Sequence, residues 1–348
     1  MTRQQQPFTI AGQQVKPGER VYLNVPVAKL YTDTDVSIPV HVIHGKKPGP
    51  KVFVSAAVHG DELNGIEIIS RLIHSRSLSI SSGTLILVPM VNVYGVLNQS
   101  RYLPDRRDLN RSFPGSAKGS LAGRVANLFL TEIVNHCDYG IDLHTGAIHR
   151  SNLPQIRANL DDEETAAMAR VFGVPVLLNS NLRDGSLRQA AMDSGIKILL
   201  YEAGEALRFD ELSIRAGVSG VLNVLSHLGL IRRRRRTKQV QPFVANSSSW
   251  VRASSSGIIK TVKELGDQVQ EGDVLAHIGD PFGHDIDVIR AERSGFIIGK
   301  QNIPLAQEGE ALFHIAFFAA PDEAILENIE SLQETHLPND GDYDRPLD

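Results

Sequence analysis

Cysteine is nearly absent: Cys137 is the only one in 348 residues. A single thiol excludes a disulfide framework and a thiolate metal site. It suits a reducing compartment, and a cytoplasmic location is expected. No apolar stretch approaches the roughly 20 residues that a membrane helix needs, so no membrane partner is expected. The polar Thr2-Arg-Gln-Gln-Gln6 after Met1 lacks the apolar core of a signal peptide. Neither charge sign is in large excess. The formal net charge of -4 leaves no basic footprint for nucleic acid. With 42% hydrophobic and 22% charged residues, the composition is that of a globular protein long enough for two or three domains.

What is present changes rhythm along the chain. Residues 1 to about 45 alternate polar and apolar, and segments 8–10, 21–25 and 38–43 read as short strands between Gly and Pro turns. Strand and helix then alternate. Strands are expected at 51–58, 84–90, 138–143, 174–178 and 196–201, with helices at 62–75, 120–136, 161–172, 184–194 and 208–229. A long loop rich in Arg, Asp and Asn spans 92–119. This alternation predicts an α/β domain over 1–238, with a mixed sheet flanked by helices. The basic run Arg232–Arg236 reads as the solvated end of a helix, with a nucleic-acid or membrane patch as the alternative. Residues 239–249 read as a linker, and 321–348 as an acidic tail, disordered from Pro338.

Between linker and tail, residues 250–320 carry an internal repeat. Glu271-Gly-Asp-Val-Leu-Ala-His-Ile278 recurs as Glu308-Gly-Glu-Ala-Leu-Phe-His-Ile315. Each copy follows a Ser-Gly pair, Ser256-Gly257 and Ser294-Gly295. The pattern predicts a small all-β domain of two similar halves. It resembles the barrel-sandwich fold of biotinyl and lipoyl carriers, but no Lys lies between Lys263 and Lys300 to carry a cofactor.

Chemistry-bearing residues gather at expected strand ends. His59 and Glu62 follow the first strand of the alternating unit, His144 ends Gly140-Ile-Asp-Leu-His144, and Glu202 ends Leu199-Leu-Tyr-Glu202. In open α/β sheets the ligand crevice lies outside the carboxyl ends of the strands. An imidazole and a carboxylate three residues apart on such a turn can face one divalent metal. The alternative is a polar cap on the following helix. In the long loop, Arg111 beside Asn110 is a candidate clamp for an anionic substrate, or else a surface arginine.

Together, His59-x-x-Glu62, Asp108-Leu-Asn-Arg111, Asp142-Leu-His144-Thr-Gly and Tyr201-Glu202-Ala-Gly resemble the succinylglutamate desuccinylase/aspartoacylase family, whose catalytic domain is similar to the zinc carboxypeptidases. The resemblance covers about residues 40–230 and, more loosely, the β domain. It implies one Zn2+ per chain held by His59, Glu62 and His144. It implies Glu202 as general base and acid, Arg101 at the carbonyl oxygen, and Asn110 and Arg111 on a substrate carboxylate. Arg150, Asn152 and Arg157 follow the third ligand and are expected to line the acyl or side-chain pocket, or else to be ordinary loop polars. His149 has no such role. The implied substrate is a small N-acyl amino acid; a homo-oligomer is an open expectation. Rival readings are a carboxypeptidase acting on a peptide C-terminus, a metal-binding scaffold without turnover, and a β domain that serves docking.

Overall fold

The computed structural model describes residues 5–179, 184–232, 242–245, 247–317, 329–332 and 335–336. The chain opens with a hairpin, β1 (Phe8–Ile10) and β2 (Gln13–Val15), followed by two long antiparallel strands, β3 (Arg20–Lys29) and β4 (Asp35–His44). The alternating part comprises β5 (Lys47–Ala56), α1 (Asn64–His74), β6 (Ser82–Val88), α2 (Val93–Leu97), α3 (Leu121–Glu132) and β7 (Tyr139–His144). It continues through β8 (Arg150–Ala158), α4 (Glu163–Phe172), β9 (Val176–Asn179), α5 (Leu187–Asp193), β10 (Lys197–Gly204) and α6 (Glu211–His227). The last part is all strand: β11 (Phe243–Ala245), β12 (Ser247–Arg252), β13 (Gly257–Thr261), β14 (Gln268–Val269), β15 (Val274–Gly279), β16 (Asp285–Arg290), β17 (Gly295–Gln301), β18 (Leu305–Ala306) and β19 (Ala311–Phe317).

The central strands β6, β5, β7 and β10 pair in parallel in that order. Their apolar runs are buried on both faces, as strands between two helical layers must be. One core packs α3 and α5 against one face through Phe129, Val125 and Leu187. The other packs α1, α4 and α6 through Ile68, Leu72, Phe172 and Leu225. The helices begin where short polar side chains can accept backbone N–H groups: Ser120, Asp162, Ser186 and Asp210 each do so, at about 1 kcal/mol apiece.

Two sequence expectations need correction. Residues 150–158 form a strand, β8, antiparallel to β10, not a loop. Pro154 and the polar Arg150, Asn152 and Arg157 hide it. Proline in a strand belongs at an edge or a bulge, and the β8–β10 register does shift between Glu202 and Gly204. Second, the stretch read as a linker holds structure. Phe243–Ala245 pairs in parallel with β9, and β12 begins at Ser247. Of the basic run only Arg232 lies within the described residues, and the acidic tail lies mostly outside them.

The sheet does not stop at the α/β part. Its order is β3-β4-β6-β5-β7-β10-β8-β17-β19-β12, so C-terminal strands continue it through β8 and β17. Beneath that joint, Leu153, Val176 and Leu178 pack with Phe243, Phe296 and Ile298 in one shared cluster. A second, four-stranded sheet, β16-β15-β13-β18, closes the β part. The repeat is visible as reciprocal capping: Glu271 N–H donates to Ser294 Oγ, and Glu308 N–H to Ser256 Oγ, at 3.1 and 2.9 Å. Gly257 and Gly295 occupy matching positions, where an added Cβ would lie 2.6 and 2.4 Å from the Gly279 and Ala316 carbonyl oxygens.

Candidate active site

β5 ends at Ala56, and the chain turns sharply through Ala57, at φ 51°. Gly60 then passes so close to Gly95 that an added Cβ would lie 1.9 Å from the Gly95 carbonyl carbon. That contact fixes the arc on which His59 and Glu62 stand. α1 begins at Asn64, later than the sequence suggests, and its N-cap Leu63 makes no side-chain cap. Glu62 is therefore not a helix cap. Asn64 ties this turn to the far strand: its amide donates to Ala203 O at 3.2 Å and accepts from Asp210 N–H at 3.0 Å.

The Glu62 carboxylate sits between two imidazoles. Oε1 lies 2.7 Å from His59 Nδ1, and Oε2 lies 2.7 Å from His144 Nδ1. The opposite ring nitrogens face carboxylates: His59 Nε2 is 3.1 Å from Asp108 Oδ1, and His144 Nε2 is 2.7 Å from Asp142 Oδ2. Asp142 is itself held by Ser55 Oγ, which donates to Oδ1 at 2.7 Å. Glu62 Oε2 also accepts from Thr145 N–H at 3.1 Å. Arg101 donates to Asp108 Oδ2 from Nη2 at 3.0 Å and to Glu62 Oε1 from Nη1 at 3.4 Å.

These distances set the charges. Burial pushes Glu62 up, but His59 and His144 outweigh it and hold the carboxyl well below its usual range. Burial works to lower His144, yet Asp142 and Glu62 raise it well above an ordinary histidine. His59 is raised by Glu62 and Asp108 against the same burial penalty. Asp108 is lowered by His59 and Arg101, again against burial. With an acceptor-only carboxylate at each nitrogen, both rings favour the imidazolium form. A divalent cation can take the place of the two Nδ1 protons. The three donor groups lie within 4.8 Å of one another. The Nε2 partners fix each ring with its Nδ1 lone pair inward, the usual outer shell of a histidine ligand. The donor set fits a divalent metal.

Glu202 reaches the same place by strand register. It is the Cα partner of His144 across the parallel β7–β10 pair, so both side chains leave one face of the sheet. A cleft of about 870 Å³ opens there. It is lined by all ten residues singled out from sequence: His59, Glu62, Arg101, Asn110, Arg111, His144, Arg150, Asn152, Arg157 and Glu202. Some are already engaged. Asn110 Oδ1 accepts from Leu187 N–H at 2.9 Å, and Arg111 Nη1 donates to Asn110 O at 2.5 Å. Arg157 Nε faces Glu202 Oε2 at 2.5 Å as an ion pair, although the two atoms are not aligned as a hydrogen bond. His149 stays outside the cluster, half exposed, near Glu205.

Sequence reasoning missed several members. Asp108 and Asp142 stand inside the motifs, and a ligand histidine's need for an outer partner would have found them. Arg188, Trp250 and His314 also line the cleft. No local pattern marks them, because Trp250 and His314 arrive from β12 and β19 only through the continued sheet.

The fold has counterparts among known proteins. The succinylglutamate desuccinylase/aspartoacylase catalytic domain matches residues 48–228. The N-alpha-acetyl-L-2,4-diaminobutyric acid deacetylase of Halomonas elongata is 28% identical over 294 residues, 81% of this chain and 86% of that protein. A succinylglutamate desuccinylase of Pseudomonas aeruginosa is 31% identical over 164 residues, 42% of this chain and 46% of that one. The product-bound ectoine utilization protein EutE (DoeB) of Ruegeria pomeroyi superposes with a TM-score of 0.77 at 25% identity, over 90% of this chain and 98% of that one.

Proposed function

The chain belongs to the succinylglutamate desuccinylase/aspartoacylase family, and on that premise we propose that it is a zinc-dependent deacylase. It hydrolyses the amide bond of an N-acyl amino acid to a carboxylate and a free amino acid. The observation that carries this reading is the meeting of the His59–Glu62–His144 donor set with Glu202 on one cleft wall.

His59 Nδ1, His144 Nδ1 and the Glu62 carboxylate would hold one zinc ion, which when bound acidifies water and polarises an amide carbonyl. The remaining work falls to this chain's side chains. Glu202 takes a proton on its carboxylate as water attacks the carbonyl carbon, then delivers it to the leaving amine nitrogen. Arg101, held by Asp108, presents a fixed positive charge to the carbonyl oxygen as negative charge builds there. Asn110 and Arg111 take the α-carboxylate and so set the amide's position. Arg150, Asn152 and Arg157 line the remaining wall. The carboxypeptidase alternative shares the metal and the base. What separates the two readings is the room the cleft leaves beyond the amide, where Ser247, Ser248, Trp250 and His314 of the β part join the lining.

The test is amine release from N-acyl amino acids and short peptides, with zinc-loaded and chelator-stripped protein side by side. Glu202→Ala should keep one zinc per chain and lose turnover by at least about 100-fold. A variant with near wild-type rate refutes the role of Glu202. Release only from peptide C-termini refutes the deacylase reading.

A further inference from the structure

Beneath the cleft lies a buried amide that the chemistry above leaves unused. Gln155 stands in β8, with β10 on one side and β9 on the other, and its exposure is 0%. Neither Oε1 nor Nε2 has a hydrogen-bond partner among the described residues. A carboxamide buried without partners is costly, and an apolar side chain of the same size would be the more stable choice. Gln155 is not among the residues that line the cleft, so substrate does not supply its partner.

Strand register names the neighbours. Gln155 is the Cα partner of Glu202 across the antiparallel β8–β10 pair, and Glu202 is the partner of His144 across β10–β7. The three side chains therefore stand in one row on one face of the sheet. On the far side of Gln155 in that row is Val176, and two residues back is Leu153, both apolar. Two residues on is Arg157, which can only donate. Glu202 is thus the one acceptor side chain among these neighbours. Directly opposed residues have Cβ atoms about 5 Å apart, within reach of two long side chains.

The partnerless atoms coincide. Glu202 Oε2 and Arg157 Nε are also buried without a hydrogen bond, although they face each other as an ion pair at 2.5 Å. Their capacities are complementary. Gln155 Nε2 donates where Glu202 accepts, and Gln155 Oε1 accepts where Arg157 donates. A turn about the Gln155 side-chain torsions brings both pairs together. One donor leaves a carboxylate free to rotate; two donors from different directions fix its plane.

Resting on the deacylase reading, we propose that Gln155 is a positioning residue for Glu202. Its carboxamide N–H donates to the Glu202 carboxylate while Oε1 ties it to Arg157. The remaining carboxylate oxygen is then aimed into the cleft, at the water it must deprotonate. Misplacing such a group by about 1 Å can cost about 100-fold in rate.

The experiment uses the zinc-loaded full chain. Gln155→Leu keeps the bulk and removes both polar atoms. Gln155→Glu keeps the shape but sets an acceptor against Glu202. On the N-acyl amino acid that the wild type cleaves, both should lower kcat about 10- to 100-fold, with KM within about twofold and one zinc per chain retained. An unchanged kcat, a change confined to KM, or loss of zinc overturns the proposal. A double-mutant cycle of Gln155→Leu and Glu202→Ala, read from urea unfolding, tests the contact without turnover. Gln155→Leu should raise the unfolding constant at least about fivefold more in the wild-type background than in Glu202→Ala. Equal changes in the two backgrounds overturn the contact and the proposal with it. Wild-type silence on every N-acyl amino acid would instead count against the deacylase reading, and the cycle would still decide the contact.

Discussion

Replacing Asp142 by Asn isolates one electrostatic contact of the proposed metal centre. Asp142 and His144 are both buried, at 2% and 4% exposure, so no solvent can substitute for a lost partner. Asn keeps the size of Asp and can still accept from Ser55 Oγ through Oδ1. With Oδ1 kept on Ser55, an NH2 group replaces Oδ2 opposite His144 Nε2, at 2.7 Å, so the substitution removes the charge and puts a donor where the acceptor stood. Outer-shell partners of this kind are worth about 10- to 100-fold in metal affinity, or roughly 1.4–2.7 kcal/mol. The short, dry, charge-assisted contact places the expectation in the upper half of that range. The assay is competition for zinc between the protein and a chromophoric chelator at neutral pH, with unfolding of the metal-free proteins as a control for folding. Zinc affinity in Asp142→Asn equal to wild type would refute the reasoning, because it would show that His144 needs no carboxylate to hold its ligating tautomer.

Two other outcomes follow from the same geometry. His41 is buried, stacked on Tyr22 with centroids 4.0 Å apart, and among the described residues neither ring nitrogen has a hydrogen-bond partner. Burial and the charge of Arg20 push its pKa down from 6.5 to about 4. The unfolded chain therefore binds more protons between those values, so this contribution to stability is complete above pH 6.5 and is lost as pH falls toward 4. His41→Phe should remove about 2 kcal/mol of the stability lost between pH 7 and pH 5, as read from denaturant unfolding at each pH. Identical losses in both proteins would contradict the assignment. A chain ended after Arg232 would strip β17 from β8 and uncover Leu153, Val176 and Leu178. It should aggregate on gel filtration. A soluble, monomeric, active fragment would return the β part to the role of a dispensable docking module.

Much of this protein can be read from local sequence because of where its polar residues stand. His59, Glu62, His144 and Glu202 each follow an apolar run, and polar side chains at the ends of buried parallel strands meet in one crevice whatever the remaining topology. The repeat at Glu271 and Glu308 likewise announces two matching turns, with Gly272 and Gly309 both at positive φ. Tertiary structure decided the rest. β8 breaks the strand pattern with Pro154 and two arginines, and only its partners on both sides make it a strand. Arg157 lines the cleft, and only the fold shows that it also meets Glu202 there. Trp250 and His314 enter the cleft because β17 and β19 extend the catalytic sheet. Periodicity reports which face of an element is buried. It does not report which distant edge will supply the missing backbone hydrogen bonds, and that pairing built the second wall of the site.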